Sequence, residues 1–416
     1  MKQRTFNWFS FYVAIATVMA CSCASSAYAI EKAVLFEKVK SELAAGSVTD
    51  ESLNQVQELV QREPQNSQAH LYLGLVLDKL GLPEPAAEQF ELAVRFGASN
   101  PSALVTLCNQ EIKMGRVLPA IALLNEGLKK FPDNAEMLYM VGDYLLNERK
   151  MVEARQVLMR AHEIDPKIFG LSTAYGQALL DINPQRSAIL ASVDLKEKPD
   201  FDKALFVRGF AYRRLGQYKK AAQDLQAIFD KSPNMPPLCD ALSDSYYWLG
   251  KYDQAVKPAV FLSAFTSFPD IEQSGNINQL TRVLSKVPKD KVIGLVSQAD
   301  GEILKKGYIK PEWFYVLGKT YDQINMPDVA MIQYQRAIHH EPKYVRAYYR
   351  LGLDQELYLR DYKEALNNYH TAYNLRPWDH EVTVALMRLQ DRLHNRKEDV
   401  AWRMKDWWLS KGSKLN

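Results

Sequence analysis

The chain has 416 residues, more than one small core accommodates, and its 52 basic and 49 acidic residues leave a net charge of +3. That balance supplies no basic stripe, so nucleic acid is not an expected partner. Glycine and proline, 19 of each, are too few for a collagen-like or disordered chain, and 47% hydrophobic residues can build an extended core.

Residues 1–29 read as an address. Lys2 and Arg4 precede a largely apolar run from Phe6 to Ala20, and Ala27-Tyr28-Ala29 has the A-x-A form of a signal-peptidase site. The run is about 15 residues, short of the ~20 that span a bilayer as a helix. A removed signal peptide is therefore expected, with the remainder exported to the periplasm, the outer membrane or the medium. Val18-Met19-Ala20-Cys21 also resembles a lipoprotein processing site, in which Cys21 would be lipidated and anchor the chain. Of the other cysteines, Cys108 and Cys239 stand 131 positions apart and read as small buried hydrophobes, without a bridge or a zinc pair.

Past residue 30 the sequence repeats itself. Small residues recur at Gly74, Cys108, Gly142, Gly176, Gly209 and Ser243, at intervals of 34, 34, 34, 33 and 34. Twelve positions after each stands an alanine: Ala86, Ala120, Ala154, Ala188, Ala221 and Ala255. Pro132, Pro166, Pro199 and Pro233 close units. The grammar returns as Gly318, Ala330 and Pro342, then as Gly352, Ala365 and Pro377, the last pair one residue wider. Each unit holds two amphipathic stretches of about 13 residues, which predicts two helices per unit. A small residue lets two helix axes approach closely, and a proline just past the second helix ends the unit without losing a needed N–H. Neither helix buries its apolar stripe alone, so the units must stack.

This pattern resembles the tetratricopeptide repeat family. Trp313, Leu317-Gly318, Tyr321, Ala330, Tyr334, Ala337 and Pro342 follow its signature, as do Leu205, Gly209, Tyr212, Ala221, Leu225 and Pro233. The resemblance implies an all-α solenoid, a right-handed superhelix of helix-turn-helix repeats. The expected organisation is a degenerate helix pair at 30–66, then an array at 67–269 with a degenerate unit at 169–199. In that unit the second helix, around Asn183-Pro184, is expected to be weak. An irregular or degenerate helical insert follows at 270–310, then two units at 311–378 and a capping helix at 379–416. The terminal run Trp402-Arg403-Met404-Lys405-Asp406-Trp407-Trp408 closes the core edge or meets a membrane or partner.

The resemblance also implies a concave groove lined by the first helix of each unit, at its second, fifth, ninth and twelfth or thirteenth positions. Carried over, these are Tyr139 and Asp143, then Phe206, Phe210, Arg213 and Arg214. The next unit supplies Asp240, Asp244, Tyr247 and Trp248. Tyr315 and Lys319 follow, then Arg346 and Tyr349. Tyr, Trp and Arg dominate binding hot spots, so a protein or peptide segment is the expected ligand. Asn109 has Val105 four positions before it, so the lysine-containing clamp for carboxyl-terminal tails is not indicated.

No phosphate loop, dinucleotide fingerprint or nucleophile elbow occurs, and His339-His340 lacks the spacing of a metal pair. No enzyme activity, cofactor or metal is expected. The leading expectation is an envelope scaffold or adaptor holding a protein partner. An enzyme-associated site near 270–310 and a glycan-binding role stand as alternatives.

Overall fold

A computed structural model describes residues 29–97, 101–265, 275–307 and 310–394. The signal-like segment with Cys21 and the tryptophan-rich stretch after 394 lie outside the described residues. The described residues are helical and divide into two compact units, residues 1–179 and 180–416.

The first unit contains α1 (29–45), α2 (Asp50–Arg62), α3 (Ser67–Lys79), α4 (Pro83–Phe96) and α5 (Pro101–Lys113), then α6 (Val117–Lys130), α7 (Ala135–Asn147), α8 (Met151–Ile164) and α9 (Leu171–Leu179). The second contains α10 (Pro184–Glu197), α11 (Asp202–Arg214), α12 (Tyr218–Lys231), α13 (Pro236–Trp248), α14 (Tyr252–Phe265) and α15 (Gly275–Leu284). It continues through α16 (Lys289–Lys305), α17 (Pro311–Gln323), α18 (Pro327–His340), α19 (Val345–Asp354), α20 (Tyr362–Leu375) and α21 (380–394). Most successive helices within each unit pack against one another, with α16 packing on α14 instead of α15, so the architecture is an all-α array of helix pairs.

The local rules that start and stop these helices are in the sequence. Asn66 and Asn134 accept from the backbone N–H three residues on, at 3.0 and 2.9 Å, and so cap α3 and α7. Prolines open α4, α13, α17 and α18, where a missing N–H costs nothing. The turn between the two helices of a unit needs one left-handed residue. Gly81, Gly115, Gly216 and Gly250 supply it, and Arg149 and Asn325 adopt φ of 59° and 65° at the equivalent points.

The crossing residues behave as steric keys. A Cβ built on Gly142 would lie 2.5 Å from Leu158, and one on Gly318 would lie 2.4 Å from the Tyr334 ring. Where the key is not glycine, a small polar side chain is turned to use. Cys108 Sγ points at the Ala120 carbonyl at 3.6 Å, and Ser243 Oγ donates to the Ala255 carbonyl at 3.2 Å. Cys108 and Cys239 are free and buried, and burial pushes both thiols up to about 12.

One expectation needs correction. The helix following Asn183 is a full one: α10 has 14 residues, with Pro184 in its first turn and Asn183 accepting from the Arg186 N–H at 3.0 Å. The helix before it in the chain, α9, is the short one, at 9 residues. Segment 270–310 is helical where it is described, with α15 and a 17-residue α16. Lys257 on α14 pairs with Glu302 of α16 at 2.8 Å, and Asp300 of α16 accepts from Trp313 Nε1 at 2.7 Å and Arg336 at 3.0 Å. The insert is thus tied into the array through α14, on which both α15 and α16 pack. No helix among the described residues is long and apolar enough to cross a membrane.

Candidate functional site

In the second unit α11 packs beside α13, and α15 beside α17, so residues at matching positions of consecutive first helices become neighbours. The densest side-chain cluster spans α11, α13 and α15. Asp244, on α13, sits between two arginines. Arg213 Nη1 donates to its Oδ2 at 2.9 Å, and Arg282 Nη2 donates to its Oδ1 at 2.6 Å. Arg213 also lies 3.8 Å from Asp240, whose carboxyl burial pushes above the usual range, with the Arg213 charge opposing.

Aromatic rings flank the ion cluster. Phe206 and Phe210 stack with centroids 4.3 Å apart, one helical turn from Arg213. The Arg282 guanidinium lies over the Tyr247 ring at 4.3 Å. Trp248 is 56% exposed, edge-on to Tyr247 at 5.8 Å and stacked near Tyr218 of α12 at 6.0 Å. An indole that open yet flanked by two other rings is held in place while its face remains available. Arg214 is exposed and pairs with Asp181.

The other residues named from the sequence fall elsewhere. Tyr139 and Asp143 are half-buried on α7, and a Cβ on Gly170 would come within 2.7 Å of the Tyr139 hydroxyl, so this ring closes against the 165–171 turn. Tyr315 is 1% exposed and is a core residue, not a groove residue. Its ring meets Tyr334 at 5.8 Å and Tyr344 at 5.5 Å, because α17 is packed by α14, α15 and α18 together. Lys319 and Arg346 are half-buried beside Asp322 and Tyr344, and Tyr349 packs near Tyr369 at 6.0 Å. Arg282 and Tyr218 belong to the cluster and were not expected. Arg282 sits where the repeat phase is lost, and Tyr218 opens a second helix.

A separate polar cluster joins α17, α18 and α19. Asp354 is buried and shares a hydrogen bond with Asp322, which accepts from Tyr334 Oη at 2.6 Å. Burial, and then the neighbouring Asp322 charge, push the Asp354 carboxyl up to about 8, with Arg350 opposing. A carboxyl raised on folding holds its proton in the native state while the unfolded chain has lost it. Its stabilising contribution is complete below pH ~4 and disappears as pH rises toward 8. Asp354→Asn should therefore gain on the parent protein by up to about 1.4 kcal/mol per pH unit between pH 5 and 8. Chemical denaturation at pH 5, 6, 7 and 8 checks it, and a pH-independent difference would refute the shared proton.

Sequence comparison places the repeats in a known class. A tetratricopeptide-repeat family model matches residues 36–101 and 110–167, and a second model of the same repeat matches 203–234. No curated protein matches the chain. Among solved structures, YrrB, described as a TPR protein with an unusual peptide-binding site, is 16% identical, with a TM-score of 0.36 over 45% of this chain and 96% of its own. A tetratricopeptide repeat protein from Parabacteroides merdae is 12% identical, with a TM-score of 0.37 over 70% and 99%. PilF of Pseudomonas aeruginosa is 16% identical, with a TM-score of 0.42 over 55% and 100%. Repeats of this kind generally serve protein–protein interaction rather than catalysis. With the 34-residue period, the glycine–alanine crossings and both family models in agreement, the chain carries tetratricopeptide repeats in an all-α array of helix pairs.

Proposed function

We propose that this protein is a scaffold or adaptor of the bacterial cell envelope, and that the α11–α13–α15 wall holds an extended or helical segment of a partner protein. The observation that carries the reading is Trp248, an indole more than half exposed yet flanked by Tyr218 and Tyr247, on the helix next to the one that carries the Phe206–Phe210 pair. Exposed aromatics beside arginines are the usual anchors of binding surfaces. The signal-like residues 1–29 supply the address, and Cys21 is a candidate anchor to the membrane.

The test is crosslinked capture from the native envelope with the parent chain and a Tyr247→Ala/Trp248→Ala variant in parallel. A defined partner should be captured by the parent and lost by the variant, with at least a tenfold drop in recovery. The variant should keep its helicity, since Trp248 is exposed and Tyr247 only partly buried against the core. Equal capture by both proteins would remove these residues from the site, and a glycan recovered in place of a protein would replace the proposed ligand.

A further inference from the structure

The chemistry of this wall narrows what its partner carries; the argument rests on the groove reading above. Asp244 has two carboxylate oxygens, and each is taken by a different arginine, Oδ2 by Arg213 and Oδ1 by Arg282. Each guanidinium offers five N–H donors, of which one is satisfied by Asp244. The Nε donors of Arg213 and of Arg282 are enclosed and meet no acceptor. Asp240, 3.8 Å from Arg213, is the second carboxylate of the cluster, and the two guanidiniums still carry more N–H donors than Asp240 and Asp244 take up.

Two further features set where those donors lie. The Arg282 guanidinium is over the Tyr247 ring at 4.3 Å and that of Arg213 is 5.8 Å from the Phe210 ring, so both stand beside aromatic faces. Both arginine side chains keep about a third of their surface open, at 28% and 38%, while Asp244 between them keeps 17%. What reaches solvent at this point is arginine and aromatic surface, with the Asp240 carboxylate, 45% exposed, at the Arg213 side. A fork of N–H groups matches a carboxylate, and the rings beside it match an apolar side chain.

We propose that the segment bound here presents a carboxylate to Arg213 and Arg282, with an aromatic or large apolar residue next to it: an acidic–aromatic peptide of the partner protein. Asp244 then acts as the internal stand-in, holding the two arginines in register until the partner's carboxylate shares them. It also competes with that carboxylate.

The competition gives a test whose sign a damaged fold cannot imitate. Fluorescence anisotropy with the full chain would use three labelled dodecapeptides: alternating Glu and Phe in a Gly/Ser background, the same with Gln for Glu, and the same with Lys for Glu. The Glu peptide should bind at least tenfold tighter than the Gln peptide, and the preference should shrink with added salt. Arg213→Gln and Arg282→Gln should each weaken the Glu peptide about tenfold, with Arg160→Gln, in the first unit, as the silent control. Asp244→Asn should tighten the Glu peptide several-fold, whereas a misfolded variant would bind less.

Equal binding of the Glu and Gln peptides, both lost on Tyr247→Ala/Trp248→Ala, would keep the groove and overturn the carboxylate. Preference for the Lys peptide, or weaker binding of the Glu peptide by a folded Asp244→Asn, would also overturn it. Binding of none of the peptides, or binding indifferent to Tyr247 and Trp248, would overturn the groove reading and this inference together.

Discussion

Gly318→Ala is expected to destabilise the second unit by about 1–3 kcal/mol, the usual cost of overpacking a close-packed core. The new methyl would sit 2.4 Å from Tyr334 Cε1 and 2.8 Å from its Cζ. Relief would require the ring to move. Tyr334 is fully buried, and its hydroxyl is tied to Asp322 at 2.6 Å, so the ring has no free rotamer to take. Gly209→Ala offers the contrast. There the nearest atoms belong to Leu225, 2.8 Å away, an aliphatic side chain able to shift by a few tenths of an ångström. The loss at Gly318 should therefore exceed the loss at Gly209, read as midpoints of urea denaturation.

A double variant isolates the contact. Tyr334→Leu alone removes buried ring and a hydrogen bond and should cost about 2–4 kcal/mol. With the ring gone, Gly318→Ala should cost less than about 0.5 kcal/mol, leaving a coupling of about 1 kcal/mol or more. Additive losses would show that Gly318 and Tyr334 do not meet as described.

That crossing is the part of the fold most visible in the sequence, for a steric reason. Two helices this close leave room for Gly, Ser or Cys and nothing larger, so the chain repeats small residues wherever the geometry repeats. The alanines twelve or thirteen positions on are fully buried in seven of the eight units, and the eighth, Ala188, is 5% exposed. Binding residues obey no such rule. Phe206, Phe210, Asp244 and Trp248 could be placed by helical position alone, because their units keep strict phase. Arg282 could not, since Ser243 and Gly318 stand 75 residues apart and the position of α15 within that gap is not fixed by the period. Tyr315 shows the opposite failure. It occupies a groove-facing position in the repeat, but α14 and α15 cover that side of α17 and turn it into core. Asp322 and Asp354, 32 residues apart, are invisible as a pair until the ends of α17 and α19 are known to meet.

Glu356→Ala is expected to lower stability by about 2–3 kcal/mol and to loosen α20 and α21 before the rest of the unit. The one-residue excess between Gly352 and Ala365 is taken up by a π-turn at Gln355–Leu359, which ends in Arg360 at φ 55°. A π-turn shifts the side chains that follow it around the helix axis, at a cost in hydrogen-bond geometry. Here it accompanies a carboxylate buried at 4% exposure. Glu356 Oε2 accepts from Tyr369 Oη at 3.0 Å and Arg388 Nη2 at 2.7 Å, and Arg392 stands 3.8 Å from Oε1. One side chain of the π-turn thus holds both following helices. Arg388 and Arg392 are more than half exposed and can return to water, so removing Glu356 leaves only the Tyr369 hydroxyl without a partner. That keeps the expected loss below the 3–5 kcal/mol typical when a fully buried charge is stranded. Glu356→Gln, which keeps the shape and the acceptor for Tyr369, should cost about half as much. Hydrogen exchange separates this from general damage: peptides from 362–394 should lose protection in Glu356→Ala while those of α11–α14 keep theirs. Uniform loss across the unit, or full protection of 362–394, would mean that the π-turn does not clamp the last helices.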